Sequence, residues 1–256
     1  MGYVRESIPP TRQSMRKSKL LSLYLGLMVA APVGAVEAQS HVYNLDGTLA
    51  DSHGGPSLVA DGGVLSSSGY AFGPNQGLSL SNVFSSASYT LVFRFALADV
   101  DGYRKIIDFK NRTSDFGLYD YYTTADFYPQ GFGPLGAYAP GVPALTVVTH
   151  DVTNDKVAVY VNGVLQLAFT DGAKLAYFNG PNNIARFFED DFQSGPFEAS
   201  AGTIDYLAVY DESLTASQVA TLSVTSTPEP ASAALLATGL AGLAGMAHKR
   251  RKRVTV

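Results

Sequence analysis

Apolar side chains at every second position are the feature that most restricts how this chain can fold. From Tyr89 to Leu97 each odd-numbered residue is large and apolar, which predicts a β-strand with one buried face. Runs of comparable β-rich composition occur at Arg104–Phe109, Leu145–Val152 and Thr203–Tyr210. Strands of this length and spacing predict an antiparallel sheet protein rather than a helical one.

Two local signals refine this prediction. Asn162-Gly163 joins two further β-rich runs, and this pair favours the positive φ angles of a type I′ hairpin turn. Only Thr215–Leu222 has a firm helical pattern, and it opens with the capping-box residues Thr215 and Gln218. Residues 39–222 are therefore predicted to form one all-β domain, a two-sheet antiparallel sandwich or jelly roll.

The N-terminal residues 1–38 have the features of a signal peptide. Arg16, Lys17 and Lys19 precede the apolar run Leu20–Ala31, and small residues follow. We predict cleavage before Gln39, with a cut after Ala35 as the alternative. The polar segment before Met15 contains two prolines and no apolar run, which indicates Met15 as the initiator.

The C-terminal residues combine a helix breaker, an apolar span and a basic cluster. A Ser/Thr/Pro-rich linker, 223–230, ends in Pro228-Glu229-Pro230, and residues 231–247 carry no charge. This span is just long enough for a single transmembrane helix. The basic tail 248–256, with Arg250, Arg251 and Arg253, would stay in the cytoplasm.

This order of segments resembles the PEP-CTERM sorting signal of exported bacterial proteins, in which Pro228, Glu229, Pro230 and the tail arginines would form the signal. The resemblance implies an exosortase and a signal peptidase as processing partners. It also implies a temporary anchor in the inner membrane of a Gram-negative-type bacterium, followed by release to the cell surface or extracellular matrix.

Charge is distributed unevenly along the chain. The whole chain has a net charge of −4, but more than half of its 18 Lys and Arg residues lie in the two terminal segments. The span between them is strongly acidic, which argues against nucleic acid as a partner. The chain has no Cys, so the domain must be stable without a disulfide.

Three segments of the acidic span resemble LamG-like (concanavalin A-like) domains. Tyr43–Gly54 is similar to their opening strand and loop, Tyr160–Val164 to their late hairpin, and Ile204–Val219 to their closing strand and short helix. The resemblance implies two curved antiparallel sheets that bind carbohydrate or protein, often with a structural calcium ion. Most domains of this kind bind without catalysing a reaction.

The same resemblance gives a metal site. The implied calcium ligands are Asp46 and Gly47 in the opening strand and Asp205 in the closing strand, with Asp51 as a further ligand. Calcium binds oxygen ligands from Asp side chains and backbone carbonyls. The alternative is that these residues form turns or lie on the surface.

Catalytic motifs are absent from the sequence. No Glu-x-Asp-x-x-Glu strand motif and no Gly-x-Ser-x-Gly elbow occurs, so we expect no enzyme. The densest acidic segment, Glu189–Asp191, is predicted to be a solvated loop, with a metal-binding loop as the alternative. A glycoside hydrolase or polysaccharide lyase with a divergent site remains an alternative, and in a lyase Arg104 or Arg112 would neutralise a uronate.

An aromatic segment, Phe116–Val142, is the predicted ligand surface. It is rich in Tyr, Gly and Pro, which indicates a long functional loop. The candidate ligand-binding residues are Tyr119, Tyr121, Tyr122, Tyr128 and Tyr138. The alternative is that this loop packs over a sheet edge. We expect an exported protein that binds a glycan or a surface protein, and a structural matrix component without a specific ligand is the remaining alternative.

Overall fold

The computed structural model describes residues 39–84, 88–179, 182–195 and 197–225. The predicted signal peptide, the linker from residue 226 onward, the predicted transmembrane helix, the PEP motif and the basic tail lie outside these residues. Within the described ranges, no helix has the length and apolar character of a membrane span.

The described residues form fifteen strands and one helix. In chain order they are β1 (His41–Tyr43), β2 (Val59–Ala60), β3 (Val64–Ser66), β4 (Gly69–Phe72), β5 (Leu78–Leu80), β6 (Tyr89–Leu97), β7 (Tyr103–Asp108), β8 (Gly117–Tyr121), β9 (Thr124–Tyr128), β10 (Gly131–Phe132), β11 (Ala144–Asp151), β12 (Lys156–Val161), β13 (Val164–Thr170), β14 (Ala185–Phe187), β15 (Gly202–Tyr210) and α1 (Ala216–Thr225).

The strands make two antiparallel sheets. The first has eight strands, in the order β13-β12-β11-β6-β15-β4-β3, with β1 paired to β15. The second has seven, in the order β10-β9-β8-β7-β14-β5-β2. The all-β, two-sheet prediction is confirmed, and the opening strand β1 pairs with the closing strand β15.

The main core lies between the two sheets. The apolar face of β6, which the alternation predicted, is fully buried there. Phe93 of β6 meets Phe187 of β14 at 5.8 Å between ring centroids, so the two sheets pack directly on each other. A sandwich results because each sheet buries one face of alternating side chains.

A second core covers the outer face of the first sheet. Val92 and Ala208 on that face pack with Leu214 and Val219. The predicted capping box is present, since Thr215 N donates to Gln218 Oε1 at 2.8 Å and Gln218 N approaches Thr215 Oγ1 at 3.4 Å. Helix α1 is therefore held against the sheet by its apolar side and is started by its cap.

The hairpin prediction is also confirmed. Asn162 and Gly163 have φ angles of 51° and 78° and connect β12 to β13. Asn162 is further fixed because its Oδ1 accepts a hydrogen bond from Leu145 N at 3.0 Å. The turn therefore also holds the end of the neighbouring strand β11.

The prediction of one long loop at Phe116–Val142 is wrong. This segment contains β8, β9 and β10, which extend the second sheet to its edge. Leu118 and Phe127 point into the main core, so the alternating tyrosines occupy the opposite face. The β8–β9 turn uses Tyr122 and Thr123 at φ angles of 47° and 71°.

Candidate ligand-binding site

Four tyrosines gather on the outer face of the second sheet. They come from β7, β8 and β9 and are called here the tyrosine cluster: Tyr103, Tyr119, Tyr121 and Tyr128. The ring of Tyr103 stacks on Tyr121 at 4.2 Å between centroids and meets Tyr119 edge-on at 5.5 Å. Tyr128 completes the cluster, at 6.2 Å from Tyr103 and 6.5 Å from Tyr119.

A cavity of about 130 Å³ opens beside the cluster, and Tyr103, Asp115, Tyr119, Tyr128 and Glu198 line it. Its volume is about ten times what a single water needs, so it has room for a group of several heavy atoms. Aromatic walls with a few converging polar groups are typical of small-ligand sites.

The hydroxyl groups of the cluster differ in their hydrogen bonding. Tyr119 Oη donates to Asp115, with the backbone oxygen and Oδ1 both at 2.7 Å. Among the described residues, the hydroxyls of Tyr103, Tyr121 and Tyr128 have no hydrogen-bond partner. These three rings therefore keep a polar edge for a ligand.

The carboxyl groups around the cluster hold protons more tightly than usual. Burial, followed by the charges of Asp115 and Asp190, raises the pKa of Glu198 to about 7. Burial alone raises the pKa of Asp126 to about 6. The pKa of Asp115 is also raised, first by burial. Near neutral pH the site therefore carries less negative charge than its composition implies.

Asp126 lies within the cluster rather than at its rim. It is 3% exposed and pairs with Tyr119 across β8 and β9. Its charge also contributes to the raised pKa of Tyr103, after burial. Among the described residues its carboxyl group has no hydrogen-bond or ion-pair partner. A carboxyl group that no donor or cation stabilises therefore lies beside the tyrosine rings.

Lys105 forms the floor of the site. It is fully buried, and its Nζ lies 4.1 Å from the ring centroid of Tyr119. The same Nζ is 3.4 Å from Asp191 Oδ2 and 3.2 Å from the backbone oxygen of Asp115. This ammonium group therefore contacts the ring of Tyr119, the segment at Asp115 and the segment at Asp191 together.

The prediction that Glu189–Asp191 is a solvated loop is wrong. All three side chains are fully buried. Glu189 pairs with Arg186 at 2.9 Å, and Asp190 accepts the backbone N–H of Glu198 at 2.9 Å. The preceding Phe187 and Phe188 enter the core, which draws these acids inward, where backbone amides and cations offset their burial.

The candidate ligand residues have different positions. Tyr119, Tyr121 and Tyr128 belong to the tyrosine cluster, and Tyr122 is exposed beside Tyr121 at 4.9 Å. Tyr138 is a correction, because it is buried in the main core with its hydroxyl 3.2 Å from Thr146 Oγ1. Tyr138 therefore supports the fold and does not reach the site.

Sequence reasoning missed Tyr103, Asp115 and Glu198. The alternation of β7 includes Tyr103, so its outward position was readable once the strand was assigned. No local sequence pattern marks Asp115 or Glu198 as a residue of the site. Glu198 lies between β14 and β15, and its backbone oxygen accepts Lys105 N at 2.6 Å, which brings the connection alongside β7.

The predicted calcium ligands lie on or just beyond the paired strands β1 and β15. Asp46 and Gly47 follow β1 instead of lying in it, and Asp46 is exposed. Asp205 pairs with Arg94 at 2.8 Å. In the part of the chain that the structure describes, no group of three or more His, Cys, Asp or Glu is placed to hold a metal. A calcium ion takes six to eight oxygen ligands, so it would also need backbone carbonyls here, and the calcium site stays a prediction.

Asp51, the further calcium ligand, has a structural role. Its Oδ1 accepts Val42 N at 2.9 Å and its Oδ2 accepts Gly55 N at 3.0 Å, with His41 Nδ1 at 2.7 Å. Burial opposes ionisation, but these hydrogen bonds outweigh it and lower the pKa of Asp51. Its oxygens hold strand β1 to the following loop.

No family model matches the chain, and no curated protein matches it. Solved structures do. Trypanosoma rangeli sialidase, in complex with 2,3-difluorosialic acid, matches with a TM-score of 0.58 at 13% identity, over 74% of this chain and 33% of the sialidase. The binding domain of botulinum neurotoxin serotype D matches with a TM-score of 0.53 at 10% identity, over 73% of this chain and 52% of that one.

Domain 4 of AbnA, a GH43 extracellular arabinanase from Geobacillus stearothermophilus, in complex with arabinotriose, matches with a TM-score of 0.52 at 18% identity. The match covers 72% of this chain and 98% of that domain. The chain thus spans about a third of the sialidase but nearly the whole arabinanase domain. At these identities the likeness establishes the β-sandwich fold.

Proposed function

We propose that this protein is an exported carbohydrate-binding protein and that its glycan binds at the tyrosine cluster and the adjoining cavity. The observation that carries the proposal is the cavity itself, where three tyrosine rings and two carboxyl groups meet on an open sheet face. Tyrosine faces pack against the apolar C–H surface of a sugar, and their hydroxyls and the carboxyls bond to its hydroxyl groups.

The similar structures support the class of ligand. One is a sialidase in complex with a sialic acid derivative, and another is an arabinanase domain in complex with arabinotriose. The arabinanase domain is the more useful of the two, because the match covers 98% of it. Carbohydrate is therefore a more economical proposal than a protein ligand or a matrix role without a ligand.

Glycoside hydrolysis is the second candidate, since Asp115 and Glu198 line one cavity. With a pKa of about 7, Glu198 would be about half protonated near neutral pH, and its protonated form could serve as a general acid. Asp115 is less suited to a catalytic role, because its Oδ1 already accepts the hydroxyl of Tyr119. Binding without turnover is the function that the geometry supports best.

The cellular location is part of the proposal. The terminal segments support export through a signal peptide, transient anchoring in the inner membrane, and sorting by an exosortase. The three LamG-like segments support membership of that group of jelly-roll domains. A binding domain released at the cell surface would meet polysaccharide of the surrounding matrix.

A glycan array probed with the purified protein tests the proposal. We expect binding to a defined set of glycans, loss of binding in Tyr128→Ala, and unchanged binding in Leu165→Ala, which alters an exposed side chain of the first sheet. New reducing ends from a bound glycan would establish hydrolysis instead. Binding that Tyr128→Ala leaves intact, or no binding to any glycan, would refute the proposal.

A further inference from the structure

Acidic groups outnumber available cations around the tyrosine cluster. Asp115 and Glu198 line the cavity, and Asp126 lies under the rings. The nearest cation, Lys105, is buried below them and already pairs with Asp191. A ligand that enters this cavity therefore meets carboxyl groups that no neighbouring cation pairs with, and a cationic ligand group would favour their ionised form.

Two of these acids lack partners. Among the described residues, the carboxyl groups of Glu198 and Asp126 have neither a hydrogen-bond nor an ion-pair partner. Asp126 is 3% exposed as a residue, and burial is what raises its pKa. A buried carboxylate without a partner is unfavourable, and a cationic ligand group would offset part of that cost.

The aromatic walls favour the same kind of ligand. Tyrosine faces attract ammonium groups, and Tyr119 already has the Nζ of Lys105 at 4.1 Å from its centroid. Tyr103 and Tyr128 provide further rings around the cavity. Aromatic rings combined with carboxylates form a site suited to a small organic cation.

We propose that the cavity binds the protonated amine of an amino sugar within a polysaccharide. This inference rests on the proposed carbohydrate-binding function and specifies its ligand. Glu198 pairs with the ammonium group, and Tyr103 and Tyr128 contact the apolar face of the same sugar. The cavity, at about 130 Å³, accommodates the amine-bearing edge of one residue while the rest of the chain lies across the sheet.

Acid should weaken this binding. The charged and titratable groups around Glu198 are Asp115, Asp190, Asp191, Lys105, Tyr103 and Tyr119. Because the pKa of Glu198 is raised to about 7, the carboxylate that pairs with the ligand is lost below neutral pH. Affinity therefore falls as the pH drops, although the ligand amine gains protonation.

Calorimetric titration with three probes tests the inference. The probes are a glucosamine tetramer, its fully N-acetylated counterpart, and spermidine as an amine without a sugar. Near neutral pH, the glucosamine tetramer should bind at least about tenfold more tightly than either of the others, which is the effect of about one ion pair. Glu198→Gln should remove this preference, whereas Asp211→Asn, the same charge change at an exposed site, should keep it.

The outcomes separate the two proposals. Equal binding of the N-acetylated tetramer would overturn the amino-sugar assignment and leave carbohydrate binding intact. Equally tight binding of spermidine would overturn the sugar part of the assignment. A glycan array without any binding would overturn both proposals. Thermal melting checks that Glu198→Gln is folded, and Asp126→Asn provides a second variant whose full retention of the amine preference would also count against the site.

Discussion

Asp120 is a buried carboxyl group in β8, and among the described residues neither of its oxygens has a hydrogen-bond partner. Burial raises its pKa from 3.8 to about 7. Asp51 is the opposite case, since four donors surround its carboxylate and its pKa is lowered. Residues of the same type thus have opposite pKa shifts, because burial dominates at Asp120 whereas hydrogen bonds outweigh burial at Asp51.

We predict that Asp120→Asn stabilises the protein more at high pH than at low pH. The folded state holds the Asp120 proton more tightly than the unfolded state, so its contribution becomes destabilising as the pH rises from about 4 to about 7. The variant lacks this loss, and the difference in melting temperature between variant and wild type should therefore increase between about pH 5 and about pH 8.

Differential scanning calorimetry at the two pH values measures this difference. Other titrating groups act in both proteins, so they cancel when the variant is compared with the wild type. Asp46→Asn is the matched control, because Asp46 is exposed, and its effect should be small and nearly independent of pH. A difference for Asp120→Asn that is equal at both pH values would contradict the assignment.

At the scale of the element, the join between β5 and β14 requires a glycine. A Cβ on Gly77 would lie 1.7 Å from the backbone oxygen of Phe187. That oxygen belongs to a paired strand, so it cannot move without disturbing the sheet. The conflict is with backbone rather than with a flexible side chain, and relaxation of a rotamer cannot relieve it.

We predict that Gly77→Ala lowers the free energy of unfolding by about 1–3 kcal/mol, the usual effect of overpacking. Gly172→Ala is the control, since the nearest atom to its added Cβ is Asp155 Oδ2 at 3.9 Å. Urea denaturation compares the two variants with the wild type. Equal stability of Gly77→Ala and Gly172→Ala would show that the two strands do not approach as described.

Elements with a clear local signal were predictable from sequence. The alternation at Tyr89–Leu97 matches β6 exactly, and Asn162-Gly163 forms the predicted turn. Strands β8 and β9 were missed because their turn uses Tyr122 and Thr123, which are uncommon residues at positive φ. Because this turn lacks the usual Gly or Asn, no hairpin signal marks it, and the surrounding Gly- and Pro-rich segment has the composition of a loop.

The site was only partly predictable, because it depends on contacts that are distant in sequence. The tyrosine content of the β8–β9 segment indicated a ligand surface, and three of the five candidates belong to the cluster. Glu198 joins them only through the path of the connection after β14. The burial of Glu189–Asp191 was equally non-local, since it depends on partners such as Lys105 and Arg186.

In the proposed function, the acidic domain binds the ligand and the terminal segments direct export and sorting. Strand β1 pairs with β15, so the opening and closing strands of the described domain lie side by side. The basic residues are concentrated outside this domain. Removal of the terminal segments would therefore leave the domain's two sheets and its binding site complete.

We predict that the exported form begins at Gln39 and lacks the basic residues 249–253. Signal peptidase and exosortase processing would remove the two terminal segments, and the mature protein would be more acidic than the full chain. Mass spectrometry of protein recovered outside the cell measures both ends. An intact basic tail in that material would mean that the tail is not removed during export and that the sorting proposal is wrong.

Calorimetric titration of the Tyr103→Ala/Tyr128→Ala double variant measures how much the tyrosine cluster contributes to sugar binding. The ligand is the glycan that the wild type binds most tightly on the array, and Leu165→Ala serves as the control. The double variant should keep its fold but bind at least about tenfold more weakly, because two aromatic contacts are removed. Equal affinity of the double variant and the wild type would contradict the account.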